Sequence, residues 1–324
     1  KKRWMGVLFA VLITVTFGLA FNSVQSNTMS AALQSAFSIE PLNSGIVISV
    51  LTLVIIFGGV HRIAAISSVI VPVMAVGYIA LALFVVLANI DRIPAVVEQI
   101  VGNAFGWHQA VGGGIGTALM QGIKRGLFSN EAGMGSAPNA AATAHVTHPA
   151  KQGFIQALGV FTDTLLICSC TAFIILFGED YIGSGLDGIQ LTQAALTSEV
   201  GNIGGIYVAI ATLFFAYSSI LGNYYYGEAN IRFFTSRQWP VVLYRMLVGG
   251  MVLFGSLASL NLVWNLADVT MALMSICNLI AISLLGKYAF RLLDDYLAQK
   301  RKGIKSPVFH KEQMKDIEQD LECW

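Results

Sequence analysis

The stretch Gln121–Asn139 reads QGIKRGLFSNEAGMGSAPN. It holds two adjacent cations, a carboxylate, several glycines and a proline, yet it lies between long apolar runs. Charged side chains are costly in hydrocarbon and mark interfaces or sites. Where this segment is placed decides how many helices surround it and which way they run.

The chain has 324 residues, of which 56% are hydrophobic and 11% charged. Its mean hydropathy is +0.70. These values indicate an integral membrane protein. The net charge of +1 points to no partner class, and no nucleic-acid partner is expected. Cys168, Cys170, Cys277 and Cys323 have no zinc-site spacing, and three of them sit in apolar runs, where thiols serve packing. The chain opens on Lys1 rather than Met, which suggests a fragment of a longer protein.

A bilayer core needs about 20 mostly apolar residues per helix. Eight spans are expected, at Trp4–Ala31, Ser44–Val60, Ile63–Ile90, Trp107–Phe128, Gly153–Phe177, Ile203–Phe233, Val241–Leu260 and Val263–Phe290. The fourth is interrupted by VGGGIGTA (Val111–Ala118), where each glycine costs a helix about 1 kcal/mol relative to alanine. A discontinuous helix, with backbone lining a cavity, is expected there. With the first end inside, alternation puts 18 of the 19 Lys and Arg residues on the inner side and only Arg92 outside. Both ends are then cytoplasmic, and Gln121–Asn139 follows the broken helix at the cytoplasmic face. Residues 1–290 form the transmembrane part and 291–324 a cytoplasmic tail; after Lys300 the alternating charge reads as a soluble or surface helix, with a solvated charge run as the structural alternative. The acidic outer loop Gly178–Asn202 is long enough to fold back over the protein.

AFNSVQSN (Ala20–Asn27) in the first span and AYSSILGN (Ala216–Asn223) in the sixth match at Ala, Ser and Asn. The two spans run in opposite directions, as an inverted-topology repeat requires. Both place polar groups within an apolar helix. Asn22, Gln25 and Ser26 share one helix face, and amides offer donors and acceptors for a zwitterion; helix–helix adhesion is the structural alternative. Ser218 and Ser219 offer oxygens to a hard cation, and Asn223, Tyr224, Tyr226 and Glu228 continue a polar stripe. Asp163 and Asp268 are lone carboxylates in apolar spans, which must be protonated, paired or cation-bound. His145 and His148 lack metal-site partners and read as solvated loop residues. No catalytic motif is present, so no enzyme is expected.

GIKRGLFSNEAGMGSAPNAAATA, followed by HPAKQGFIQALGVFTDTLLICSCTA, resembles the alanine or glycine:cation symporter family. FNSVQSNT and VWNLADVTMALM (Val263–Met274) extend the resemblance over nearly all of residues 1–290. It implies an all-α, polytopic fold of the leucine-transporter type, in the amino acid–polyamine–organocation superfamily, with about eight transmembrane helices corresponding to core helices three to ten. The family's GTGN-like break and GGPGAxFWMW-like run, in its first two core helices, do not occur here. A truncated chain lacking those two helices is the expectation.

The implied function is Na+-driven symport of alanine or glycine across the plasma membrane, of bacterial inner-membrane type, by alternating access. An H+-coupled symporter with Asp163 or Asp268 as proton carrier is the alternative; a channel or embedded enzyme has less support. The substrate is assigned to Asn22, Gln25, an unwound Gly114–Thr117 backbone including Gly116, and Met120, with Trp264 in the site wall. Ser218 and Ser219 are assigned to Na+. Lys124, Arg125, Asn130 and Glu131 are assigned to one gate network, with Asp163 and Asp268 in gating or coupling.

Overall fold

The computed structural model describes residues 3–58, 60–104, 113–178 and 184–314, and no strand occurs among them. The helices are α1 (Arg3–Phe37), α2 (Pro41–Phe57), α3 (Val60–Ala88), α4 (Ile93–Ala104), α5 (Gly113–Asn130) and α6 (Ala137–Ala141). They continue with α7 (Pro149–Phe177), α8 (Gly188–Val200), α9 (Asn202–Phe234), α10 (Gln238–Leu257) and α11 (Leu260–Arg301). Local chemistry explains several boundaries. Pro41 and Pro149 occupy first helical positions, where the missing N–H costs nothing. Ser38, in the left-handed region at φ 55°, ends α1.

Among the described residues, α1, α7, α9, α10 and α11 are long and apolar enough to cross a bilayer. Pro72–Ala88 and Ile90–Ala104 add a sixth span if the pair, bent by 74°, is counted as one. The expected count of eight is therefore not reproduced. The apolar helix α2 has only 17 residues, and α5 carries Lys124 and Arg125. Part of the expected fourth span, residues 107–112, lies outside the described residues. The outward faces carry exposed aliphatic side chains such as Val47, Val54, Val269, Ile276 and Leu284. Such a surface suits lipid, and a soluble fold of this size would bury most of it.

Helix α1 is central and packs against α9, α10 and α11. Ile13, Phe17, Phe21 and Val24 of α1 meet Val263, Ala267, Met271 and Met274 of α11. Close approach depends on small residues, as in other membrane helix pairs. A Cβ on Gly255 of α10 would strike the backbone of Ser23 and the Ser26 hydroxyl, and Asn27 Nδ2 donates to the Gly255 carbonyl at 2.9 Å. A second core joins α3, α4, α7, α8 and α9 through Tyr78, Val85, Val96, Ile174, Leu196 and Val208. In this core α8, from the acidic loop, folds back: Ala195 and Leu196 are fully buried, and Gln193 Nε2 donates to the Ala32 carbonyl at 3.1 Å.

Two sequence expectations change at the C-terminal end. Helix α11 runs unbroken past residue 290 to Arg301, and the following segment turns at Gly303 (φ +82°); residues 315–324 of the expected tail lie outside the described residues. That segment returns to the start of α7, where Phe309 N–H donates to the Thr147 carbonyl at 3.0 Å. His148 is fully buried rather than solvated. Its Nδ1 caps α7 by accepting from Ala150 N–H at 3.1 Å, and its Nε2 lies 3.1 Å from Asp295 Oδ2.

Candidate functional site

Among the described residues, a helix break falls inside the stretch Gln121–Asn139. Gly113–Ala118 is regular helix within α5, while Val111 and Gly112 lie outside the described residues. Gly114, Gly116 and Thr117 therefore do not form an unwound wall. Glycine weakens a helix but does not stop one; a left-handed residue does. Helix α5 ends at Asn130, and Glu131 (φ 56°), Gly133 (φ 84°) and Gly135 (φ 90°) are all left-handed before α6 resumes at Ala137.

This segment is enclosed by the bundle. Met134, Gly135 and Ser136 are buried, and Met134 joins the core between α1 and α11. Asn278 Nδ2 of α11 donates to the Gly133 carbonyl at 2.8 Å. The polar stretch is thus an interior element that offers free backbone groups and side chains, not a solvated loop.

Beside the break lies a cavity of about 360 Å³. Phe21 and Gln25 of α1 form one wall, and Phe128, Ser129 and Glu131 another. Ser219, Gly222, Asn223 and Tyr226 of α9 form the third. Of the expected substrate residues, Gln25 is in the wall. Asn22 stands behind it: it is fully buried, and its Oδ1 accepts from Asn223 Nδ2 at 3.1 Å. That contact brings the two similar segments, Ala20–Asn27 and Ala216–Asn223, side by side and orients an amide of the wall. Met120 is 47% exposed and does not line the cavity. Trp264 is one layer out, with its ring centroid 4.6 Å from that of Phe128.

Ser218 and Ser219 both donate to the Phe215 carbonyl, at 2.8 and 3.0 Å, which leaves their oxygen lone pairs available. Only Ser219 lines the cavity. Phe21, Phe128, Ser129 and Gly222 were not singled out from sequence, and Asn223 and Tyr226 only as part of a polar stripe. Ser219, Gly222, Asn223 and Tyr226 do recur at i, i+3, i+4 and i+7, a one-face signal that an apolar helix background masks.

The expected four-residue gate divides into separate contacts. Arg125 Nη2 donates to Asp268 at 2.6 and 2.8 Å, and Lys124 Nζ lies 3.3 Å from the same carboxylate. The Arg125 guanidinium also sits 4.0 Å over the Trp264 ring. Asn130 instead donates to Thr164 Oγ1 at 3.0 Å. Glu131 accepts from Ser136 Oγ at 2.5 Å. Asp163 accepts from Ser129 Oγ at 2.8 Å. A further ionic cluster was missed as such: buried Glu228 binds Arg232 at 2.6 Å and Arg245 at 3.5 Å, and also contacts the Tyr224 hydroxyl.

A polytopic helical bundle, with a helix broken beside a polar cavity, is an architecture that membrane transporters use. A model of the sodium:alanine symporter family matches residues 1–311, and the chain belongs to that family. It is 55% identical over 324 residues to the probable sodium/glutamine symporter GlnT of Bacillus subtilis (strain 168), covering 100% of this chain and 67% of that protein. The amino-acid carrier protein AlsT of the same organism is 52% identical over 99% of this chain and 68% of its own length. The sodium/alanine symporter AgcS of Methanococcus maripaludis is 39% identical over 87% of this chain and 62% of its own length. The chain thus spans about two thirds of the length of these relatives.

Proposed function

We propose that the protein moves a small neutral amino acid, alanine or glycine, across the plasma membrane together with Na+. Transport proceeds by alternating access around the cavity at the helix break, in a leucine-transporter-type inverted-repeat fold with both ends cytoplasmic. Family membership supports cation-coupled amino acid transport. The observation that carries the site assignment is the cavity itself, where amides, hydroxyls and a carboxylate from α1, α9 and the break converge on about 360 Å³. That volume is at the small end of the ~300–1,000 Å³ typical of small-molecule sites. The Gln25 amide oxygen and the Glu131 carboxylate suit an ammonium group, and Asn223 Nδ2 supplies a donor for a carboxylate. The Ser218–Ser219 oxygens are the candidate Na+ ligands. One charge moved down 100 mV supplies about 2.3 kcal/mol.

Gln25→Leu keeps the approximate volume and removes the amide. Leaving a polar substrate group unpaired costs about 1–3 kcal/mol, so half-saturation for labelled alanine uptake into proteoliposomes should rise about tenfold to a hundredfold. An unchanged half-saturation would remove Gln25 from the site. Glutamine is the second reading of the substrate, favoured by the 55% identity to a protein named for it. Competition of unlabelled glutamine against alanine uptake decides between them.

A further inference from the structure

Helix α11 has 42 residues, about twice the number that a bilayer core needs. Its last turns and the strap that follows them have no part in the cavity. At the end of α11 the chain reverses, where Gly303 (φ +82°) and Ile304 donate their N–H groups to the Lys300 and Gln299 carbonyls. The strap is then gripped from two elements. Gln299 of α11 holds Val308 with both ends of its amide: Nε2 donates to the Val308 carbonyl at 2.8 Å, and Oε1 accepts from the Val308 N–H at 3.0 Å. Thr147, in the link between α6 and α7, holds the residues on either side. Its hydroxyl donates to the Pro307 carbonyl at 2.9 Å, and its own carbonyl accepts from Phe309 N–H at 3.0 Å. Successive residues of an extended chain turn their backbone groups to opposite sides, so three residues can tie two elements together.

Side chains reinforce the tie. Pro307, Phe309 and Met314 are buried. The Phe309 ring meets His148 edge-on with centroids 5.7 Å apart, and His148 meets Tyr296 of α11 in the same way at 5.1 Å. Asp295 Oδ2 accepts from Gln299 Nε2 at 2.8 Å and lies 3.1 Å from His148 Nε2. Thr147 stands on the link that carries the helix break into α7. At the near end of that link α6 is tied to α9, where Asn230 Nδ2 donates to Asn139 Oδ1 at 2.9 Å. An open groove of about 930 Å³ beside α6, lined by Ala141, His145, Pro149 and Gly153 among others, leaves room for the link to move.

From these contacts we infer that residues 303–314 are a clasp. It fixes the α6–α7 link against α11, keeps the cavity closed on the clasp's side of the membrane, and lets go when that side opens. The inference rests on the alternating-access reading above, in which the clasp's side is cytoplasmic. The grips on the strap are hydrogen bonds and ring contacts, each modest in net terms, so the clasp favours one arrangement without freezing it. Weakening the clasp raises the population that is open on its side.

The test is the reactivity of a thiol placed in the cavity, measured without substrate. Gly222 lines the cavity, and a Cβ there meets nothing within 4 Å. Gly222→Cys, in protein whose four native cysteines are replaced by alanine, is labelled in membrane vesicles of each orientation with a maleimide that cannot cross the bilayer. Phe309→Ala and Thr147→Val remove a ring and a hydroxyl from the grip. Gly303→Ala leaves the docking contacts in place and strains the turn that begins the strap, since its Cβ meets open space but φ is left-handed; it guards against a folding failure of the other two. Each variant should raise labelling from the clasp's side about threefold to tenfold and lower it from the opposite side. Wild-type labelling rates in all three would overturn the inference. So would a rise from both sides, which marks general loosening of the bundle. Because no substrate is present, these outcomes are separate from failure of the transport reading, which shows as an absence of alanine or glutamine uptake by the wild type.

Discussion

Glu228→Gln is expected to destabilise the protein by about 3 kcal/mol or more, because it leaves a buried guanidinium without its counter-charge. The Glu228 side chain is 6% exposed and that of Arg245 15%, so solvent screens this pair little. Arg232 is 43% exposed and its contact contributes far less. The cluster also holds Tyr224, whose hydroxyl accepts from Arg245 Nε at 2.8 Å. Thermal unfolding of the detergent-purified protein checks the effect. The paired change Glu228→Leu with Arg245→Leu should recover much of the loss, since replacing both partners with apolar side chains removes the uncompensated charge. Equal losses in the single and the paired variant would show that packing, rather than charge, is what Glu228 contributes.

Gly135→Ala is expected to cost about 2–5 kcal/mol, because two penalties fall on one methyl group. At φ 90° an L side chain is strained by about 1–2 kcal/mol. The added Cβ would also lie 2.7 Å from the Asn278 amide and from the Phe9 ring edge, and such overpacking costs about 1–3 kcal/mol. Asn278 cannot simply turn aside, since its Nδ2 holds the Gly133 carbonyl. The same substitution at Gly126, where a Cβ meets nothing within 4 Å, should be neutral or slightly stabilising. Equal melting temperatures for the two variants would mean that the break at Glu131–Ser136 is not held as described.

The all-helical, polytopic character was legible because hydropathy and charge are dense enough to reveal apolar helices without any knowledge of contacts. The helix count was less legible, because hydropathy does not register a 74° bend within one apolar run or a helix of 17 residues. The repeat segments could be matched from Ala20–Asn27 and Ala216–Asn223, and the Asn22–Asn223 contact joins them. Gln25 was legible as an amide on a polar helix face. Glycine density at Val111–Ala118 reads as a break through helix propensity, yet Gly113–Ala118 is helical, and the described break comes where Glu131, Gly133 and Gly135 end the helix through positive φ. Pairings such as Arg125 with Asp268, 143 residues apart, have no local signature. The same holds for the π-helical turns at Thr16–Phe21 and Thr162–Cys168.

These placements change the meaning of Gln121–Asn139. Its cations pair with Asp268 through α5, its Ser129 and Glu131 face the cavity, and its glycines let the chain thread between α1 and α11. In the proposed cycle this segment links three things: the ion pair behind the Trp264–Phe128 stack, the cavity, and the carboxylate of α7. A substrate or cation that favours one arrangement of the break shifts the others by its differential affinity.

The most direct test of the central claim is labelled alanine uptake into proteoliposomes under an inward Na+ gradient, compared with choline replacement at fixed pH. The account predicts concentrative uptake with Na+ and its loss with choline. Full uptake in choline would contradict Na+ coupling, and absence of uptake of alanine, glycine and glutamine under either cation would contradict the assignment of the cavity to a neutral amino acid.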